Sequence, residues 1–228
     1  MAAFFTTSIE FLKGVGPQRA ALLNKELSIF TFGDLIQYYP FRYEDRTKFY
    51  TIAEVHDELQ HVQVKAFIKK KELIGAGFKK RLVVVASDGT GDIELIWFQG
   101  INWILDKLKP GIEYIIFGKP TRFGNRFNIA HPELDIVVDK DKQTGHLQPV
   151  YSITEKLRAK HFDSKTISRF MQELLKHSSD KIRETLPSSI VISEKLISKK
   201  EALYNIHMPG SHEWLTKAQH RLKFEELF

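Results

Sequence analysis

The segment from Val62 to Ile129 constrains this chain most, because strand-like runs and turn signals alternate along it and are interrupted once by a helical pattern. Val62, Val64, Ala66 and Ile68 alternate with Gln63, Lys65 and Phe67, the period of a half-buried strand. Arg81–Ser87 is a β-branched run that enters Asp88-Gly89-Thr90-Gly91, a strong turn, and the chain leaves that turn as the strand Asp92–Phe98. Ile101, Ile104, Leu105 and Leu108 then recur at helical spacing. Pro110-Gly111 ends that pattern, and the strand Ile112–Gly118 follows. Arg122–Phe123 and Arg126–Ile129 flank Gly124-Asn125, a second tight hairpin.

Three strands, a helix and two more strands is the order of an OB-fold, a small barrel that commonly binds single strands through basic grooves and aromatic platforms. The flanks read as helix. In residues 1–50, Ser8 can cap a short helix at Ile9–Lys13, ahead of the tight Gly14-Val15-Gly16-Pro17 turn. Pro17 suits the first position of a helix over Gln18–Glu26, and Thr31 can cap another over Phe32–Tyr39, ended by Pro40. In residues 151–228, Ile167, Phe170, Met171, Leu174 and Leu175 form one apolar stripe. Ser198 and Glu201 have capping-box spacing, and Ser211 can cap a last helix with Trp214, Ala218 and Leu222 on one face. That helix reaches Phe228 with no stop signal, so the chain is expected to continue. The predicted architecture is α+β: an OB-fold β-barrel over 51–150, flanked by N-terminal (1–50) and C-terminal (151–228) helical segments.

Charge is concentrated in the strand-rich part. Between His61 and His131 there are twelve Lys/Arg against six Asp/Glu, an excess equal to the net charge of +6 for the whole chain. A local basic field favours polyanions such as nucleic acid, the alternative being a lysine-rich surface kept for solubility. No cysteine is present, which removes disulfides, thiolate metal sites and cysteine nucleophiles together and fits a reducing compartment. No run approaches the roughly 18 apolar residues of a membrane span, and the first residues lack the pattern of a signal peptide. A cytoplasmic protein without a membrane partner is the simplest expectation.

Motifs that move bonds are not found. Gly118-Lys119 runs into Pro120, and Gly75 and Gly77 precede Lys79-Lys80 without phosphate-loop spacing. There is no G-x-S-x-G elbow, no H-E-x-x-H and no acidic metal-ligand cluster, so no catalytic residue and no metal site are expected. His131-Pro132-Glu133 reads as a loop-shaping element, because Pro132 directs the two side chains apart.

Binding is better represented. Gly14 and Gly16 permit positive φ, and the free amides at the start of the next helix suit a phosphate near Arg19, as in helix-hairpin-helix elements. The same glycines would also let two helices pack closely, with Arg19 solvated. Lys69, Lys70 and Lys71 on one side and Lys79, Lys80 and Arg81 on the other bracket a glycine-rich hairpin tip that can follow a phosphate backbone by charge. Arg122 and Arg126 extend that basic set. Within IELIWFQGINWIL, strand parity puts Ile93, Leu95 and Trp97 on one face and Glu94, Ile96 and Phe98 on the other. The face that carries the charge of Glu94 is the better candidate for outside, so Trp97 is assigned to the core and Phe98 to a partly exposed position where it can stack on a base. Trp103, on the following helix, can turn either way.

LKGVGPQRAALL, FTFGDLIQYYPFRYEDR, DGTGDIELIWF, KPG, HPE, PVYSIT, IHMPG and RLKFEELF occur in this order. Taken together they resemble the N-terminal region of the bacterial RecG helicases, ATP-dependent enzymes of branched DNA. The resemblance implies an OB-fold wedge that binds stalled replication forks and Holliday junctions and splits their arms as a motor translocates, in fork reversal during repair and recombination. It also implies branched and single-stranded DNA as partners, a monomer, and a bacterial, nucleoid-associated location. Phe98 matches the aromatic that caps the branch point in that family. A second family aromatic falls at Asn102, with Trp103 one residue later. ATP and Mg belong to the family's motor, whose motifs are not in these residues, so no cofactor, ATP hydrolysis or unwinding is expected of this chain alone. A protein–protein docking module that uses the same exposed aromatics is the competing class, and a nuclease is a distant third.

Overall fold

The computed structural model of the chain describes residues 2–124, 126–137, 147–160 and 162–228. Two compact units emerge: Met1–Asp45 with His146–Phe228, and Arg46–Gly145. The helical segments at the two ends of the chain thus supply a single unit together.

That unit begins with α1 (Ala2–Phe5) and a 3₁₀ turn at Ile9–Phe11. Ser8 precedes the turn, but its hydroxyl makes no capping bond, a departure from the sequence reading. α2 (Gly16–Leu27) carries Pro17 in its first turn, where a missing amide proton costs nothing. α3 (Phe32–Ile36) starts in a full capping box between Thr31 and Asp34. It is shorter than the predicted Phe32–Tyr39. β1 (Arg42–Asp45) follows and pairs antiparallel with β9 (Leu147–Val150), a two-stranded sheet that the sequence reading lacks.

Among the described residues the second unit is a seven-stranded sheet with one α-helix and two 3₁₀ turns. Its elements are β2 (Val62–Ile74), β3 (Arg81–Ser87), β4 (Asp92–Trp97), α4 (Ile101–Lys107), β5 (Glu113–Gly118), β6 (Pro120–Phe123), β7 (Arg126–Ala130) and β8 (Glu133–Ile136). The strand order is β6-β7-β4-β3-β2-β5-β8, antiparallel throughout except between β4 and β7. Inward residues of the strands converge on one core, with Val62, Val64, Leu82, Val84, Ile93, Leu95, Trp97, Ile116 and Ile129 at its centre. A Cβ on Gly118 would come within 2.3 Å of Ile129 Cγ2, so only glycine lets these two strands approach so closely. Among the described residues no ladder joins β6 to β8. The α+β class and the strand–helix–strand order are present, but the sheet wraps its core without closing into the predicted barrel. Asn125, at the predicted second hairpin, lies outside the described residues, as do 138–146.

The C-terminal part adds α5 (Glu155–Ala159), α6 (Ser164–Ser178), α7 (Ser188–Ser193), α8 (Lys199–His207) and α9 (His212–Leu227) to the first unit. All five residues of the α6 stripe are buried. Ser198 and Glu201 form the predicted capping box, and Ser211 accepts from the Trp214 amide. On α9 the buried positions are Leu215, Ala218 and Arg221; of the three residues predicted to share a face, Ala218 is buried, Leu222 partly buried and Trp214 exposed. Arg221 is wholly buried between Glu184 (2.5 Å) and Glu225 (2.7 Å). His207 is buried as well, its Nε2 2.8 Å from the Ile36 carbonyl and its Nδ1 3.0 Å from the Tyr151 hydroxyl. No helix among the described residues is long and apolar enough to cross a membrane.

Candidate nucleic-acid interface

The outer face of the β2–β3–β4–β7 sheet carries a groove of about 620 Å³. Its floor is apolar, because the β-branched run of β3 turns Val83 and Val85 outward while Leu82 and Val84 turn in, and Ile96 of β4 lies beside them. Phe98 and Phe123 also line the groove. Lys69, Lys70, Arg81 and Arg126 supply its positive charge, against Glu72, Asp92 and Glu94.

A bulge in β2 explains how two consecutive lysines reach the same face. The register against β3 shifts between Ile68 and Lys70, leaving Lys69 as the extra residue. Before the bulge the inward positions are 62, 64 and 66; after it, position 70 falls on the outer face. Without the bulge Lys70 would be aimed at the core. Lys71, beyond it, turns the other way and donates to the Leu108 carbonyl at 2.8 Å.

Most of the groove's cations are tethered. Lys69 pairs with Asp92 at 2.6 Å, Arg126 with Glu94 at 3.1 Å, and Lys70 with Glu72. The Lys69 ammonium, then the Ser87 hydroxyl, hold the Asp92 carboxyl below the usual carboxylate range. Among the described residues, Arg81 has no carboxylate partner. It can meet a phosphate without first breaking an ion pair.

Phe98 follows the last residue of β4 and is 54% exposed, whereas Trp97 is 3% exposed in the core. Strand parity therefore separates the two aromatics as predicted. Beneath Phe98 lies a residue the sequence reading treated only as a loop former. His131 has φ 48°, its amide donates to the Ile96 carbonyl at 2.7 Å, and its Nε2 accepts from the Phe98 amide at 3.4 Å. The two rings are 5.7 Å apart and tilted by 46°. Nothing in the local pattern around His131 signals this contact, because it depends on the parallel pairing of β4 with β7.

The remaining candidates do not gather at this groove. Trp103 is 60% exposed on α4, with Lys107 Nζ 3.5 Å from its ring centre, and it does not line the groove. Lys79 and Lys80 occupy the exposed turn between β2 and β3. Arg122 pairs with Asp57 at 3.2 Å and lies 5.7 Å from the Phe127 ring centre. Gly14, Gly16 and Arg19 belong to the other unit. There both glycines have positive φ, as the turn demands, and Arg19 Nη1 folds back to donate to the Gly14 carbonyl at 2.6 Å. Among the described residues no group of three His, Asp or Glu side chains could hold a metal ion.

Comparison with known proteins places the chain in a family. The model of the RecG wedge domain family matches residues 8–173. A Thermotoga maritima protein named ATP-dependent DNA helicase RecG is 30% identical over 229 residues, covering 98% of this chain and 28% of its own length. A Haemophilus influenzae protein of the same name is 33% identical over 229 residues, covering 95% of this chain and 31% of its own. The chain thus spans less than a third of the length of these relatives. A solved structure described as RecG bound to a three-way DNA junction superposes with a TM-score of 0.80 at 28% identity, covering 97% of this chain and 30% of that one.

Proposed function

The chain belongs to the RecG wedge domain family, and from that premise we propose that its strand-rich unit recognises branched DNA, with Phe98 stacked on the exposed base pair or base at the branch point. The observation that carries this reading is the pairing of a half-exposed Phe98 with a basic, apolar-floored groove at its foot. Stacking suits a branch because only there does a duplex end its base stack and present a flat face. Arg81, and Lys69 and Arg126 once released from their carboxylates, would neutralise phosphates without reading sequence. Junctions are recognised by shape on this account, so stalled forks and Holliday junctions are equivalent ligands at the wedge. The two arms leave the branch point on either side of Phe98, and an unpaired strand is taken up in the groove.

In a longer protein of this family the same wedge would split the arms as a motor moves the DNA, with ATP and Mg bound by that motor and fork reversal as the outcome. The wedge acts as a monomer on bacterial chromosomal DNA in the cytoplasm. Lys79 and Lys80 at the hairpin tip, together with Arg122, would guide the flanking arms by charge. Gly14, Gly16 and Arg19 would contact a phosphate from the other unit, which requires Arg19 to leave the Gly14 carbonyl.

Photo-crosslinking tests the placement. A three-way junction carrying 5-bromodeoxyuridine at the branch point should attach to the segment around Phe98. Attachment only to the Gly14–Arg19 turn, or none above that of a linear duplex, would refute it.

A further inference from the structure

Phe123 is 81% exposed, more than either Phe98 or Trp103, and it lines the same groove as Phe98. It is the last residue of β6, where Gly124 takes φ 62° to turn the chain toward β7. An aromatic held out on a short hairpin gains nothing from burial, and its neighbours on the strand are polar or basic. From β6 toward Phe98 the sheet runs through β7 and β4, whose groove residues are Arg126, Asn128, Glu94 and Ile96, and the apolar Val83 and Val85 of β3 lie beyond them. Apolar floor, exposed rings and cationic walls form the arrangement that holds unpaired bases downward and phosphates outward.

The charge balance sharpens the point. Four cations face three carboxylates in this groove, and three of the four are already paired. Electrostatic attraction alone is therefore modest here, and a strand held in the groove must draw much of its affinity from its bases.

Resting on the DNA-binding reading above, we propose that Phe123 is a second stacking platform, which grips an unpaired DNA strand in the outer groove of the sheet after that strand has passed Phe98. Phe98 meets the branch and Phe123 meets the strand that leaves it. The β6–β7 hairpin thereby makes the wedge selective for single-stranded over fully paired DNA, because a paired base offers no free face to Phe123.

The test uses the 228-residue protein and fluorescein-labelled oligodeoxythymidylate, with a duplex of equal length and a three-way junction as comparators. Phe123→Ala should weaken oligodeoxythymidylate binding by about 5- to 150-fold and duplex binding hardly at all. Phe123→Leu, which keeps apolar bulk without a π face, should lose nearly as much, and Phe123→Trp should retain binding. Because Phe123 is exposed, none of these changes threatens the fold. Unchanged oligodeoxythymidylate binding by Phe123→Ala, alongside weakened junction binding by Phe98→Ala, would overturn this proposal and leave the branch-point reading intact. Equal losses on single strand and duplex would overturn it too. Failure of the unaltered protein to bind any of the three DNAs would bring down both.

Discussion

The Phe98 amide donates to His131 Nε2 at 3.4 Å, and the two rings meet at a centroid distance of 5.7 Å. His131 is itself fixed by the hydrogen bond its backbone N–H donates to the carbonyl of Ile96, two residues before Phe98. The exposed aromatic is thus braced at the point where β4 ends, which lowers the ordering cost of using it as a stacking surface.

His131→Asn tests the brace. Asparagine tolerates the positive φ of this position but cannot supply the ring. Junction affinity should fall by about two- to tenfold, the cost of ordering one free side chain, while the thermal midpoint stays nearly constant. Titration of a labelled junction and a melting curve together report both quantities. A large drop in melting temperature would instead make His131 a folding residue.

Adjacent aromatics should behave in opposite ways. Trp97→Ala empties a core position and should cost about 3–5 kcal/mol in urea unfolding. Phe98→Ala should leave unfolding within about 0.5 kcal/mol of the parent, because its ring lies outside.

Groove cations should rank by their tethers. Arg81→Ala should weaken DNA binding by about tenfold and reduce the salt slope by about one, since Arg81 meets phosphate without losing an ion pair. Lys69→Ala should cost less, because Lys69 must first leave Asp92. Glu94→Gln should tighten binding by about threefold by freeing Arg126. Affinities measured from low to moderate salt would show the order, and a loss with Glu94→Gln would contradict it.

Acid should destabilise the helical unit in two steps. Burial, opposed by the bond to the Ile36 carbonyl, pushes the His207 imidazole down to about 4. Between the ordinary histidine value near 6.5 and about 4 the unfolded chain binds more protons, so stability falls as pH drops through that window, by about 3 kcal/mol, and then levels off for this group. Glu184 acts lower. Burial would raise its carboxyl, but the amides of Lys199, Leu186 and Thr185 and the Arg221 guanidinium bring it down to about 2, so its contribution is lost only as pH falls from 4.5 toward 2. Urea unfolding at pH 7, 5.5 and 4 should show the first loss, and His207→Gln should flatten it. Equal stability at pH 7 and 5 would contradict the assignment.

Local chemistry explains what could be read without coordinates. Arg81–Ser87 was legible to the residue because a β-branched run ending in Asp-Gly has few alternatives. The α6 stripe and the Ser198–Glu201 box are likewise local. The polar strands Arg42–Asp45 and Glu133–Ile136 were not legible, because their extended form is imposed by partners distant in sequence. At the candidate site, the exposure of Phe98 followed from strand parity together with the charge of Glu94 on the same face. The shared face of Lys69 and Lys70 needed the bulge, and His131 needed the β4–β7 pairing. Trp214, Ala218 and Leu222 do share a helical face, but the fully buried positions of α9 are Leu215, Ala218 and Arg221, and the buried ion pairs of Arg221 with Glu184 and Glu225 could not be read from spacing.

Fluorescence anisotropy with a labelled three-way junction and a linear duplex, for the parent protein and Phe98→Ala, separates a branch-point role of Phe98 from general DNA affinity. The parent should bind the junction more tightly than the duplex, and Phe98→Ala should lose about 5- to 150-fold on the junction while its duplex affinity hardly changes. Equal losses on both DNAs, or junction binding untouched by the substitution, would contradict a branch-point role for Phe98.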